Sequence, residues 1–243
     1  MENITEFNWD LKKLPSNWGR INIDQKQLLV RSAPREALVI IISQESNEKV
    51  LENLLENKKL TSAEIIRIIE RARSARILEK ISRISRWFTN HTIKRRLLEN
   101  PHTPIKVSFR ILDYLPLPEV TKVIQNPNIS REVRNRARAR LRTLMNRMSA
   151  GELRGMFLNS EGEVIKKLPV LTGKDKKVIM DILNSGRVPK RFIINLLRAP
   201  ATTGDIIQVI SKNRSWMRDK LIKNAVLTST KVSQSTKNRL KNL

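Results

Sequence analysis

The sequence predicts an all-α chain, an α-solenoid of helical hairpins, and three observations carry that expectation. One phrase recurs: Leu97-Leu98-Glu99-Asn100-Pro101-His102-Thr103-Pro104 sets out an apolar helix end, a two-proline turn and a Thr fit to start the next helix. It stands earlier as Leu54-Leu55-Glu56-Asn57-Lys58-Lys59-Leu60-Thr61, and more loosely later as Leu196-Leu197-Arg198-Ala199-Pro200-Ala201-Thr202. From Leu54 to Leu97 is 43 residues and from Leu97 to Leu196 is 99, and a period of about 40–47 suits a two-helix repeat. Helix-start signals are frequent, with no alternating β pattern between them. Aromatics make up only 4% of the chain, so Ile, Leu and Val must fill the core, as in stacked helices.

Residues 1–24 read as an irregular arm in which Trp9 and Trp18 anchor onto the body or onto a partner. Residues 25–147 read as a first repeat half and 148–243 as a second, degenerate half packed on the first. Arg35 to Ser43 and Asn47 to Leu55 should pair antiparallel across Gln44-Glu45-Ser46. Thr61-Ser62-Ala63-Glu64 is a capping box, Thr and Glu each satisfying the other's amide, and the helix behind it should bury Ile65, Ile66, Ile68 and Ile69. Related starts stand at Ser149 to Glu152, Thr172 to Asp175 and Thr202 to Asp205, each placing an acid near a helix N-terminus. Pro101 and Pro104 should break the chain between two helices. A second echo, Trp-x5-Ile-Lys, occurs at Trp87–Lys94 and Trp216–Lys223. Its Trp reads as a core plug rather than a ligand platform. Glycines at 151, 155, 162 and 173 mark residues 148–173 as the seam between the halves.

With these motifs in view, Leu54 to Leu144 resembles the bacterial HEAT-like repeat proteins, related to the leucine-rich repeat variant group. The matching residues are the Leu-Leu-Glu-Asn-Pro-His-Thr-Pro phrase, the Trp-x5-Ile-Lys lead-in and Asn126-Pro127-Asn128-Ile129-Ser130-Arg131-Glu132-Val133-Arg134. A degenerate copy covers Arg147 to Leu243. The resemblance implies a scaffold of HEAT-like hairpins and carries over no catalytic residue.

Chemistry finds little footing. With no cysteine, disulfides and thiolate metal sites are excluded. His91 and His102 have no Ser or Asp at a diagnostic spacing, and no phosphate-binding or dinucleotide glycine motif exists. Trp87, Trp216, Asp113 and Asp219 could be enlisted for base excision, but no spacing demands it. The chain reads as non-enzymatic, without cofactor or metal. The acidic, polar start is unlike a secretory signal, and the longest apolar run, Ala37 to Ile42, cannot span a bilayer. A cytoplasmic protein is the expectation.

The net charge of +25 is distributed unevenly: residues 1–60 net to zero, 61–150 to +13 and 151–243 to +12. Such self-repulsion calls for an anionic partner. Arg73, Arg76, Lys80 and Arg83 step by three or four along one helix face, with Arg86 and Lys94 beyond. Arg131, Arg134, Arg138 and Arg142 form a second stripe, and Lys212, Arg214, Arg218, Lys220 and Lys223 a third group. Charged stripes are usually the solvated face, yet here few acids lie at i±4 and Arg dominates the first two. The reading is nucleic-acid binding through the phosphate backbone, structured RNA or a ribonucleoprotein before DNA. Scarce aromatics argue against stacking on single strands. The alternative is an adaptor whose surface grips an acidic protein in a larger assembly.

Overall fold

The computed structural model describes Trp9, Leu14, Pro15 and residues 17–241, and among these every regular element is helical. The chain is therefore all-α over the described residues; the rest of the expected N-terminal arm lies outside them. Two compact units form, one of Met1–Tyr114 with Pro127–Val133, the other of Leu115–Asn126 with Arg134–Leu243. The first contains α1 (Ile23–Ser32), α2 (Arg35–Gln44), α3 (Glu48–Leu54), α4 (Ser62–Arg71), α5 (Ala75–Arg83), α6 (Ser85–Phe88), α7 (His91–Glu99) and α8 (Ile105–Asp113). The second contains α9 (Leu117–Gln125), most of α10 (Arg131–Arg147), α11 (Ala150–Asn159) and α12 (Gly173–Asn184). It continues with α13 (Lys190–Arg198), α14 (Gly204–Lys212), α15 (Arg214–Met217), α16 (Lys220–Thr228) and α17 (Gln234–Lys241). The glycine-bearing stretch 148–173 falls wholly within the second unit, as α11 and a 3-10 turn at Ile165–Lys167.

Local chemistry sets these boundaries. Asn47, Asn90 and Asp219 each accept from the amides two and three residues on, satisfying donors that a helix start leaves orphaned. Capping boxes form at Thr61/Glu64, Ser149/Glu152 and Thr172/Asp175. At the fourth start, Thr202 to Asp205, no box forms. Thr202 turns its hydroxyl inward to donate to the Leu196 carbonyl at 2.6 Å, which leaves Thr203 at the N-cap of α14. Thr103 makes the same bond to Leu97 at 2.6 Å, and the proline turn there separates α7 from α8. Ala33, Ala72, Ile84, Asn100, Asn126, Ala199 and Asn213 end their helices in extended backbone, with ψ between 107° and 139°. No left-handed residue is needed at such an end, so the chain manages with seven glycines.

Packing joins helices that are not consecutive: α3 lies on α1, α4 on α2, α5 on α3, and α7 on α4 and α5. The expected antiparallel pair of α2 and α3 gives way to this pattern. Glu45 leaves α2 extended, and its pinned carboxylate directs the link away from a simple hairpin. The side-chain bonds that tie one helix to another span 22 to 34 residues, not 43, those of Asn57 to Val30, Arg71 to Ile42, Asn100 to Ile69 and Arg110 to Ser82 spanning 27 to 31. Leu54 ends α3 whereas Leu97 lies in α7, so the recurring phrase marks one device at two different helix ends. In both, the Asn donates to two carbonyls at the end of an earlier helix: Asn57 to Val30 (2.8 Å) and Ala33 (3.1 Å), Asn100 to Ile69 (2.5 Å) and Ala72 (3.0 Å). Leu54, Leu55, Leu97, Leu98 and Leu196 are buried and Leu197 is half-buried.

The tryptophan echo extends well beyond its motif. Trp87 and Trp216, both core residues, are 129 apart, as are Ser82 and Ser211, Asn90 and Asp219, and Arg110 and Arg239. Each Ser hydroxyl donates to the carbonyl three residues back. Each Arg bonds the Ser carbonyl and hydroxyl, Arg110 at 2.8 and 2.6 Å and Arg239 at 3.5 and 3.4 Å. The two units therefore share an internal construction at α5–α8 and α14–α17.

Trp18 is buried and anchors the described part of the arm, its indole donating to Glu45 at 2.8 Å. Burial alone would raise the Glu45 carboxyl. The amide of Asn47, the Trp18 indole, Lys26 and the amide of Ser46 outweigh it and hold the group below its ordinary value. Because the folded value is lowered, the stabilisation is complete above the unfolded value of about pH 4.3 and is lost as pH falls through the folded one. The urea stability of the native chain should therefore exceed that of Glu45→Gln by about 1–3 kcal/mol at neutral pH, a gap that closes in acid. A gap independent of pH would remove the carboxylate from this account.

Candidate nucleic-acid interface

The three basic groups meet different fates. On α5, Arg76 lies 3.0 Å from Glu52, Lys80 3.1 Å from Glu56 and 3.8 Å from Glu52, and Arg83 2.6 Å from Glu79. The stripe is real, but acids answer three of its four cations: Glu52 and Glu56, on and just after the neighbouring α3, lie outside any i±4 window, whereas Glu79 lies one turn before Arg83. Exposed Arg73, just before α5, lines a cleft of about 680 Å³ with Glu48, Glu70, Arg71 and His102, a mixture of both signs. Arg86 lies 4.1 Å from the centre of the Trp87 ring and donates to the Asn57 carbonyl. Lys94 is buried.

The α10 stripe is less exposed than the sequence implies. Arg131 faces solvent, but Arg134, Arg138 and Arg142 are all half-buried. The Arg134 Nε is enclosed, and Arg138 bonds Asn135 at 2.8 Å. Arg142 reaches Asp175, a buried carboxylate, and the Val170 carbonyl. Its guanidinium is a structural tie, which withdraws it from the solvated stripe.

In the second unit, Lys212, Arg214, Arg218 and Lys220 are exposed around α15, and Lys223 is half-buried. The acid among them, Asp219, is engaged by Lys190 at 2.6 Å and caps α16 with its other oxygen. The Lys190 ammonium and the capped amides hold its carboxyl below the ordinary value, so it stays ionised and occupied. No ion pair holds the four exposed cations among the described residues.

Sequence reasoning passed over one cluster in the first unit. Phe88 has Lys94 Nζ 5.2 Å and Arg110 Cζ 5.0 Å from its ring centre, and the Tyr114 ring stands nearly perpendicular to it with centroids 5.5 Å apart. Phe88 and Tyr114 are 26 residues apart, one in α6 and the other at the end of α8, and no local pattern joins them. Among the described residues no three His, Cys, Asp or Glu converge as a metal site would require, and no helix is long and apolar enough to cross a membrane. Compared with protein-family models, with curated proteins and with solved structures, the chain matches none.

Proposed function

We propose that each unit is a short α-solenoid of helical hairpins, and that the chain binds the phosphate backbone of a nucleic acid without catalysing a reaction on it. Structured RNA is the preferred ligand and the cytoplasm its setting. The solenoid reading is supported by side-chain ties that recur along the chain and span 22 to 34 residues, each joining a helix to a near neighbour in sequence. The observation that carries the binding reading is the exposed group Lys212, Arg214, Arg218 and Lys220, whose neighbouring acid is already taken. Unanswered cations on a chain of charge +25 favour a polyanion, and binding then releases condensed counterions. The competing reading, an adaptor for an acidic protein, uses the same cations.

The test titrates a hairpin RNA at several salt concentrations against the native chain and a variant combining Lys212→Gln, Arg214→Gln, Arg218→Gln and Lys220→Gln. Exposed charges contribute little to folding, so the variant should melt near the native chain. Its salt slope should fall by roughly 0.7–0.9 for each phosphate that the variant no longer neutralises. An unchanged slope, with loss of one protein partner, would favour the adaptor.

A further inference from the structure

Lys94 is the observation to explain. It is 7% exposed, and no hydrogen bond or ion pair from the described residues reaches its ammonium. Its stem is enclosed while its Nζ keeps contact with solvent, and a ring face only partly replaces the water that such a charge would otherwise hold. The same Phe88 ring carries Arg110 on a second approach. Arg110 spends Nη2 on Ser82, while its Nε is enclosed without a partner. Beside the ring, Tyr114 is the one tyrosine of the chain, 64% exposed and with its ring plane at 87° to that of Phe88. The second unit supplies a comparison: 129 residues on, Lys223 and Arg239 recur, but Met217 replaces Phe88 and Lys223 is only half-buried.

We propose that Phe88, Lys94, Arg110 and Tyr114 form a site for one unpaired nucleotide of an RNA, its phosphate taken by Lys94 and Arg110 and its base stacked on Tyr114. The assignment rests on the backbone-binding reading above and adds to it a preference for unpaired bases, which folded RNAs present in their loops. An acidic peptide would answer the two cations but would leave the exposed tyrosine ring unused. Only a ligand with an anion next to a flat ring meets both. The aromatics are few in the chain, yet two of them gather where the cations are.

Two probes separate this site from backbone binding: an oligoadenylate and an abasic ribose-phosphate oligomer with the same number of phosphates. The native chain should bind the oligoadenylate about 5- to 100-fold more tightly. Tyr114→Ala should erase that difference and leave the abasic affinity unchanged, while Tyr114→Phe should preserve it. Lys94→Met keeps the buried stem and should weaken both probes while melting no lower than the native chain. Equal binding of the two probes to the native chain overturns the stacking site, and salt-sensitive abasic binding then still upholds the backbone reading. Failure of both probes to bind defeats the backbone reading and this site with it. A Lys94→Met chain that melts well below the native one assigns Lys94 a structural role and overturns its part in the site.

Discussion

Arg142→Met is expected to destabilise the second unit by about 3–5 kcal/mol, far more than a surface arginine would. Asp175 is 2% exposed, and its carboxylate accepts from the Thr172 amide at 2.8 Å as well as from Arg142. Removing the guanidinium leaves that carboxylate buried with the helix start as its remaining support, and it also strips the Val170 carbonyl of a donor. The support from the capping box and from the helix N-terminus should bring the loss toward the lower end of the range. Arg138→Met is the control: its partner Asn135 is one turn away on the same helix, and the loss should amount to less than about 1 kcal/mol. Urea melts of the two variants beside the native chain decide the matter. Equal, small losses would return Arg142 to the solvated stripe. Adding Asp175→Asn to Arg142→Met should recover part of the loss, because the buried charge leaves with its partner.

The contrast between Arg142 and the helix starts indicates what the sequence can and cannot convey. Thr61, Ser149 and Thr172 find their partners three residues away, so the boundary and its chemistry can be read together from one short string. Pro101 and Pro104 act on their own backbone and are equally local. A guanidinium is different, since its partner is chosen by packing. Arg142 finds Asp175 33 residues away, and Lys80 finds Glu56 24 away. A search at i±4 sees neither, so a paired cation and a free one look alike on a helical face. Lys94 misleads for a related reason. Its motif places it after Ile93 on an apolar helix, where a lysine ordinarily carries its charge to water, and only the seating of Phe88 against it leaves the ammonium at a ring. The recurring Leu-Leu-Glu-Asn phrase is informative through its last residue rather than its spacing. The Asn carries the tie, and the tie reaches back 27 or 31 residues while the phrases themselves are 43 apart.

That Asn yields the second large effect, an ordered pair of losses. Asn57 and Asn100 make the same three bonds: two donated to earlier carbonyls, and one accepted by Oδ1 from the amide two residues on, Lys59 or His102, at 2.8 Å in each case. Their surroundings differ. Asn57 is 1% exposed, whereas Asn100 is half-buried. The Val30 carbonyl that Asn57 serves has no helical donor of its own, because the residue four on is Pro34, which lacks an N–H. Asn57→Ala thus strands two enclosed carbonyls, each worth about 1–3 kcal/mol when unsatisfied, and a combined loss of about 2–4 kcal/mol is expected. At Asn100→Ala, solvent can enter beside the exposed Pro101 and His102 and solvate the Ile69 and Ala72 carbonyls, so the loss should be about 1 kcal/mol. Thermal and urea melts of both single variants measure the order. If Asn100→Ala proves as damaging as Asn57→Ala, then burial of the accepted carbonyls is not what makes this residue matter, and the tie must act instead by holding the turn that follows it.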